Sequence, residues 1–326
     1  MSAFRSLLFV VSLLGVVGAV PVGAQATHVA VEGPATGVAQ IDIITPHITD
    51  SHFLELPTIF PPFAREVCIG HRVSEHECEA LWQPVSIGGI TVDLSPTKHV
   101  VMLLFAAVLV SVVLILSARA HARHSHELGH PKGFAAGIEA LVLYMRNEVI
   151  LPNVGHYGNG FVPFLLTIFF FILTANLLGL VPYGSTATGN IAVTATLALI
   201  TFVVIEVAGI RAQGVGYLST LFYWNNELPA VLRVPMFLIM SPVEMIGKIT
   251  KPIALAIRLF ANMTAGHIVV LAFIGLIFTF AGPVSGAPFL MAVAIMLLEL
   301  FVAFLQAYIF TLLSSVFIGL IRESHH

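Results

Sequence analysis

Lys251–His267 reads KPIALAIRLFANMTAGH, and between Pro252 and Ala281 Arg258 is the only Lys, Arg, Asp or Glu. That run is apolar and, at ~1.5 Å of helix per residue, long enough to cross a hydrocarbon layer of ~30 Å. An ionised side chain at membrane depth costs at least ~2.5–3.5 kcal/mol on insertion scales, so Arg258 is read as functional, with a carboxylate for a partner. The bland alternative is an arginine that snorkels to the headgroups. Lys248, Lys251 and Pro252 already mark that approach, which leaves Arg258 inside the bilayer.

The rest of the chain agrees with a lipid setting. Its 326 residues are 58% hydrophobic and 10% charged, with a mean hydropathy of +0.97, which excludes a soluble domain. The net charge of -3 hides a split, because Glu32, Asp42, Asp50, Glu55, Glu66, Glu75, Glu77, Glu79 and Asp93 all precede Lys98. Residues 1–24 combine Arg5, an apolar run and small residues at Val22-Gly23-Ala24, the pattern of a secretory signal peptide, with an uncleaved first membrane helix as the alternative. Residues 25–97 then form an exported tail, within which CIGHRVSEHEC, residues 68–78, is expected as a solvated polar loop, and 98–326 the membrane domain. Export would put the two cysteines, Cys68 and Cys78, where a disulfide can form. His71 and His76 between them, and His121, His124, His126 and His130 further on, match no closed ligand set, so no metal or other cofactor is expected.

Five mature spans are predicted, making an all-α polytopic membrane protein. They are 100–116, 160–182, 190–206, a fourth carrying Arg258 after an apolar stretch interrupted by Pro235 and Pro242, and 289–321. Residues 134–151 read as a helix at the interface. The last span would make ~50 Å of helix against a ~30 Å core, so it must tilt or bend. Arg119, Arg123, Lys132, Arg146, Arg211, Arg233 and Arg322 fall on one set of connections, while 183–189 and 281–288 carry none. Positive residues stay inside, which places the tail outside and the C-terminus in the cytoplasm.

Depth then follows from spacing. Glu244 lies ~21 Å inward of Arg258 and His267 ~13 Å outward of it. On the returning span Gln306 comes level with Arg258, and Glu299, ~10 Å further out, falls near the level of His267. Two polar pairs result, Arg258 with Gln306 and His267 with Glu299, and they suggest two offset half-channels. On depth alone, exchanging His267 and Glu299 would keep one acid and one imidazole in place. Glu206 reads as interfacial, and Asn262 and Gln306 taken singly as helix-packing hydrogen bonders.

RLFANMTAGH, followed by LELFVAFLQAYIF and a short polar tail, resembles the stator subunit a of F-type ATP synthases of the bacterial type, over roughly residues 98–322. The resemblance implies that Arg258 is the essential charge facing the carboxylates of a rotating c-ring. It makes Asn262 and Gln306 its polar companions and Glu244 the inner-channel acid. His267 and Glu299 would be the outer-channel pair, and the last two helices a long tilted hairpin facing the ring. It further implies b-type stalk subunits and the rest of the complex as partners, with no nucleic acid, in a bacterial inner membrane. NLLGLVP departs from the family pattern, having Gly179 where many relatives carry an aspartate; Asn176 is the weaker candidate there. No GxxxxGK[ST] loop occurs, so the chain is not expected to be catalytic by itself. The competing reading, a secondary ion transporter with a midplane Arg258/Glu299 site, would show related halves, and none are found.

Overall fold

Backbone amides and carbonyls have no water to bond in hydrocarbon, so apolar segments of this length must close their hydrogen bonds within themselves. The computed structural model describes residues 96–124, 133–155, 158–181, 186–217, 230–280 and 283–323, with short pieces between 51 and 92. Its helices in chain order are α1 (Lys98–His124), α2 (Phe134–Tyr144), the short α3 (Leu151–Val154), α4 (Val162–Gly179), α5 (Ile191–Gln213), α6 (Ala230–Thr279) and α7 (Gly286–Glu323). Of these, α1, α4, α5, α6 and α7 are long and apolar enough to span a membrane, so the chain is a multi-pass, mainly helical membrane protein.

Each local feature has a sequence cause. Pro163 sits in the first turn of α4, where its missing amide has no intrahelical partner to lose. Asn190 caps α5 by accepting the Ala192 amide at 2.9 Å. Gly214, with φ of 58°, ends α5 in a conformation that favours glycine. The 50 residues of α6 and the 38 of α7 both exceed what a perpendicular crossing needs.

The core centres on α4. Phe169, Phe171, Leu165 and Ile168 are fully buried, and Phe169 meets Phe304 of α7 edge to face with ring centroids 5.9 Å apart. Leu197 from α5, Leu259 from α6 and Phe310 from α7 close the same cluster. Buried hydroxyls bond back along their own helices: Thr201 to the Leu197 carbonyl, Thr311 to that of Ala307 and Ser314 to that of Phe310.

Three expectations are corrected. Pro235 and Pro242 do not interrupt the chain: both lie inside α6, together with Pro252. A proline forfeits one amide bond and bends the helix, but ending the helix would leave a whole turn of backbone unpaired next to lipid. Residues 134–151 do not form one regular helix along the surface. Six of them, Met145–Ile150, widen into a π-turn that tucks Met145, Val149 and Ile150 into the core. The stretch 68–78, finally, is not all loop, since His71–Arg72 pairs antiparallel with Cys78–Glu79; before it Phe53–Pro57 pairs with Ala64–Cys68, and after it Val85–Ile87 with Ile90–Val92. Cys68 is disulfide-bonded, and the sequence contains one other cysteine, Cys78. The Lys98 amide at the start of α1 donates to the Ser51 carbonyl at 2.9 Å, which ties the tail to the bundle. The signal segment 1–24 and the histidine-rich connection after His124 lie outside the described residues.

Gly319 of α7 lies so close to α3 that an added Cβ would strike the Asn153 backbone carbonyl, whose carbon is 3.1 Å away. Backbone cannot step aside as a side-chain tip does. Gly319→Val is therefore expected to destabilise the bundle by ~1–3 kcal/mol, seen as a lower melting temperature of the detergent-purified protein; unchanged melting would show that the two segments part freely.

Candidate functional site

Leu255, Leu259 and Met263, one turn apart, are the packed stripe of α6, at 3%, 0% and 0% exposure. Arg258 and Ile257 therefore turn to the opposite side, where both are exposed. Arg258 makes no hydrogen bond or ion pair among the described residues. On α7 the packed stripe is Glu299, Ala303, Gln306, Ala307 and Phe310, all buried. These two stripes bring polar groups of the two helices together at two levels.

At the first level Asn262, one turn beyond Arg258, donates through Nδ2 to Gln306 Oε1 at 3.0 Å. Gln306 is thus held by Asn262 rather than by the guanidinium, and its own Nε2 is buried with no partner among the described residues. At the second level His267 Nδ1 stands 2.6 Å from Glu299 Oε1, with the Glu299 side chain only 5% exposed. An added Cβ at Gly266 would lie 2.9 Å from the same Oε1, so the missing side chain lets Glu299 approach α6.

Thr186 and Thr188, which the sequence did not single out, complete this cluster together with Gly179 and Asn176, the position and the weaker candidate noted in NLLGLVP. His267 Nε2 is 2.8 Å from the Gly179 carbonyl at the end of α4 and 2.7 Å from Thr186 Oγ1 in the following connection. Beside them Asn176, fully buried, accepts the Thr188 hydroxyl at 2.7 Å and donates to the Ala303 carbonyl at 3.3 Å. Thr186 and Thr188 carry no signal in a short polar connection, and a glycine carbonyl has no side chain to notice.

Glu244 is exposed and lines a cavity of ≈ 150 Å³ among α5, α6 and α7, together with Glu206, Lys248 and Lys251. Glu206 is thus more than the interfacial residue its position suggests. It accepts the hydroxyl of Tyr217, which in turn accepts from Lys248 Nζ at 2.9 Å. The Tyr217 ring packs where Gly209 leaves room, at 2.6 Å from the position of an added Cβ. Burial first, and then donation to Glu206, raise the Tyr217 phenol above its ordinary 10.0. Any stability this contributes is complete below pH 10.0 and is lost only as alkali removes the proton.

Chemically, the cluster around His267 can hold and hand on a proton, the cavity beside Glu244 offers carboxylates and room for water, and Arg258 offers a permanent charge between them along α6. Among the described residues no group of three or more His, Cys, Asp or Glu is placed to hold a metal ion.

The ATP synthase A chain family matches residues 100–319 of the chain. It is 50% identical over 241 residues to ATP synthase subunit a of Chloroherpeton thalassium, covering 72% of this chain and 68% of that one. It is 43% identical over 307 residues to ATP synthase subunit a 2 of Chlorobaculum tepidum, covering 93% and 79%. The Myxococcus xanthus ATP synthase subunit a is 45% identical over 293 residues, covering 88% and 91%.

The contact between His267 and Glu299 sets up a double-mutant cycle. Each single loss, Glu299→Gln or His267→Ala, strands a polar group without its partner, so the double variant should lose far less than the product of the two single losses. Residual proton flux through vesicles with matched protein reads this out, and strictly multiplicative losses would mean that the two side chains act apart.

Proposed function

The chain belongs to the ATP synthase A chain family, and we propose that it forms two offset proton half-channels with Arg258 between them, facing a ring of c subunits. Its family role is that of a non-catalytic membrane subunit in ATP synthesis and proton transport. What carries the finer reading is one observation: His267, part-buried and paired with the buried Glu299 of α7, and the exposed Arg258 stand on the same helix α6, separated by ~13 Å of rise.

In this reading protons arrive from outside at His267 and Glu299 and neutralise a carboxylate on the ring, which can then move through lipid. Arg258 faces the next ionised carboxylate. Its guanidinium cannot be deprotonated, so it favours the ionised form of that acid and blocks a direct proton path between the half-channels. Asn262 and Gln306 hold the helix register beside it. Protons leave past Glu244 and the cavity it shares with Glu206. Each proton falling through 100 mV supplies ~2.3 kcal/mol, so several are gathered for each ATP.

The exposed side of α6 around Arg258 suits such a partner, because Ile253, Ile257, Ala254, Ala261 and Ala265 offer small and apolar surface. The basic connections favour a cytoplasmic C-terminus and an outward tail. We assign the chain to a bacterial inner membrane, with a signal segment at 1–24, an exported segment at 25–97, and b-type stalk subunits as further partners. A chain that instead carried ions alone after reconstitution would be a secondary transporter.

Replacing Arg258 tests the reading directly. Arg258→Ala, Arg258→Gln and Arg258→Lys should each assemble normally and bring ATP-driven pumping and proton-driven synthesis to background in membrane vesicles. Near-normal coupled synthesis in any of them would remove the stator assignment.

A further inference from the structure

The outer cluster contains more than a shared proton, because its two ends are chemically unlike. A backbone carbonyl only accepts, so the Gly179 oxygen 2.8 Å from His267 Nε2 requires that nitrogen to carry its hydrogen. A bare Nε2 there would set two lone pairs against each other. Thr186 Oγ1, at 2.7 Å, takes the other branch of the same hydrogen. With Nε2 occupied in this way, a neutral ring has its lone pair at Nδ1. The 2.6 Å between Nδ1 and Glu299 Oε1 then needs one hydrogen between them, written either as neutral histidine with carboxylic acid or as imidazolium with carboxylate.

The geometry points to a proton-relay site of fixed polarity, in which Thr186 and the Gly179 carbonyl are the positioning groups and one resident proton is shared between His267 Nδ1 and Glu299 Oε1. This inference rests on the half-channel reading above. When a further proton arrives from outside, Nδ1 and Nε2 both carry hydrogen and Oε1 accepts from Nδ1. The added proton then resides on Glu299 Oε2, which makes no hydrogen bond among the described residues. From Oε2 it can pass to the next acceptor and leave the pair as it was, with atoms and charge in balance.

The unexpected glycine falls into place here. A Cβ added at Gly179 would lie 2.7 Å from Thr186 Cγ2 and 2.8 Å from Thr186 Cβ. The missing side chain at 179 is what admits Thr186 to His267. Order also matters: an acid at 267 could meet the Gly179 carbonyl only in its protonated form, which would hold its proton there instead of passing it on, so the pair is not exchangeable in this chain, although depth alone would allow it.

ATP synthesis driven by a proton gradient, measured in vesicles with matched assembled complex, tests this with Thr186→Val, Thr186→Ser and the exchanged pair His267→Glu with Glu299→His. Arg258→Ala serves as the reference for lost coupling. Thr186→Val keeps the shape and removes the hydroxyl, and should lower synthesis roughly tenfold, the size of one buried hydrogen bond. Thr186→Ser should retain most of the activity, and the exchanged pair should stay near the Arg258→Ala level. Full activity with valine, or loss with serine greater than with valine, would make Thr186 a packing residue and overturn the proposal. Native-level activity of the exchanged pair would equally overturn the fixed polarity. If Arg258→Ala itself still couples, the stator reading fails instead, which keeps the two failures apart.

Discussion

A polar group in an apolar layer is costly unless it finds a partner inside the protein, and this constraint sorts the hydrogen-bonded side chains of the bundle into two kinds. Thr201, Thr311 and Ser314 satisfy themselves on the preceding turn of their own helices, so they bury without specifying anything about a neighbour. Asn176, His267 and Asn262 reach to other helices instead. Each such reach fixes one helix against another along its axis, since sliding by even one residue, ~1.5 Å, would stretch the bond past use. The cross-helix contacts thus specify register, while Phe169, Leu197, Leu259 and Phe310 supply most of the adhesion.

Where a group could be placed by counting, the sequence was a good guide. His267 and Glu299 follow from equal rise along two helices of opposite direction, and the structure has them at 2.6 Å. Counting also brings Arg258 level with Gln306, but level is not contact: at 3.6 residues per turn Arg258 faces outward, and it is Asn262 that meets Gln306. The proline rule misled for a related reason. Pro235 and Pro242 would end a helix in water, where the freed backbone is solvated, whereas next to lipid the helix bends and continues. Two contributions left no trace in the letters. The Gly179 carbonyl belongs to a residue without a side chain, and Glu206 meets Tyr217 across a chain reversal that periodicity does not describe.

The tail shows the same limit from the other side. CIGHRVSEHEC reads as loop, yet strand pairing needs only backbone groups and a partner at the right spacing, and His71–Arg72 finds one in Cys78–Glu79. A disulfide at Cys68 suits so small a unit, which has little apolar core to hold it.

The placement of the prolines in α6 has a mechanical consequence. All three, Pro235, Pro242 and Pro252, stand before Ile253, and from there to Thr279 the helix has none. Compliance is thereby confined to one half of a long rod, because each proline removes a backbone strut and leaves a soft joint. The other half, bearing Arg258 and His267, is a stiff gauge. A sideways push on it would be taken up by bending near Pro252, and the spacing between the guanidinium and the imidazole would hold constant while the whole segment swung.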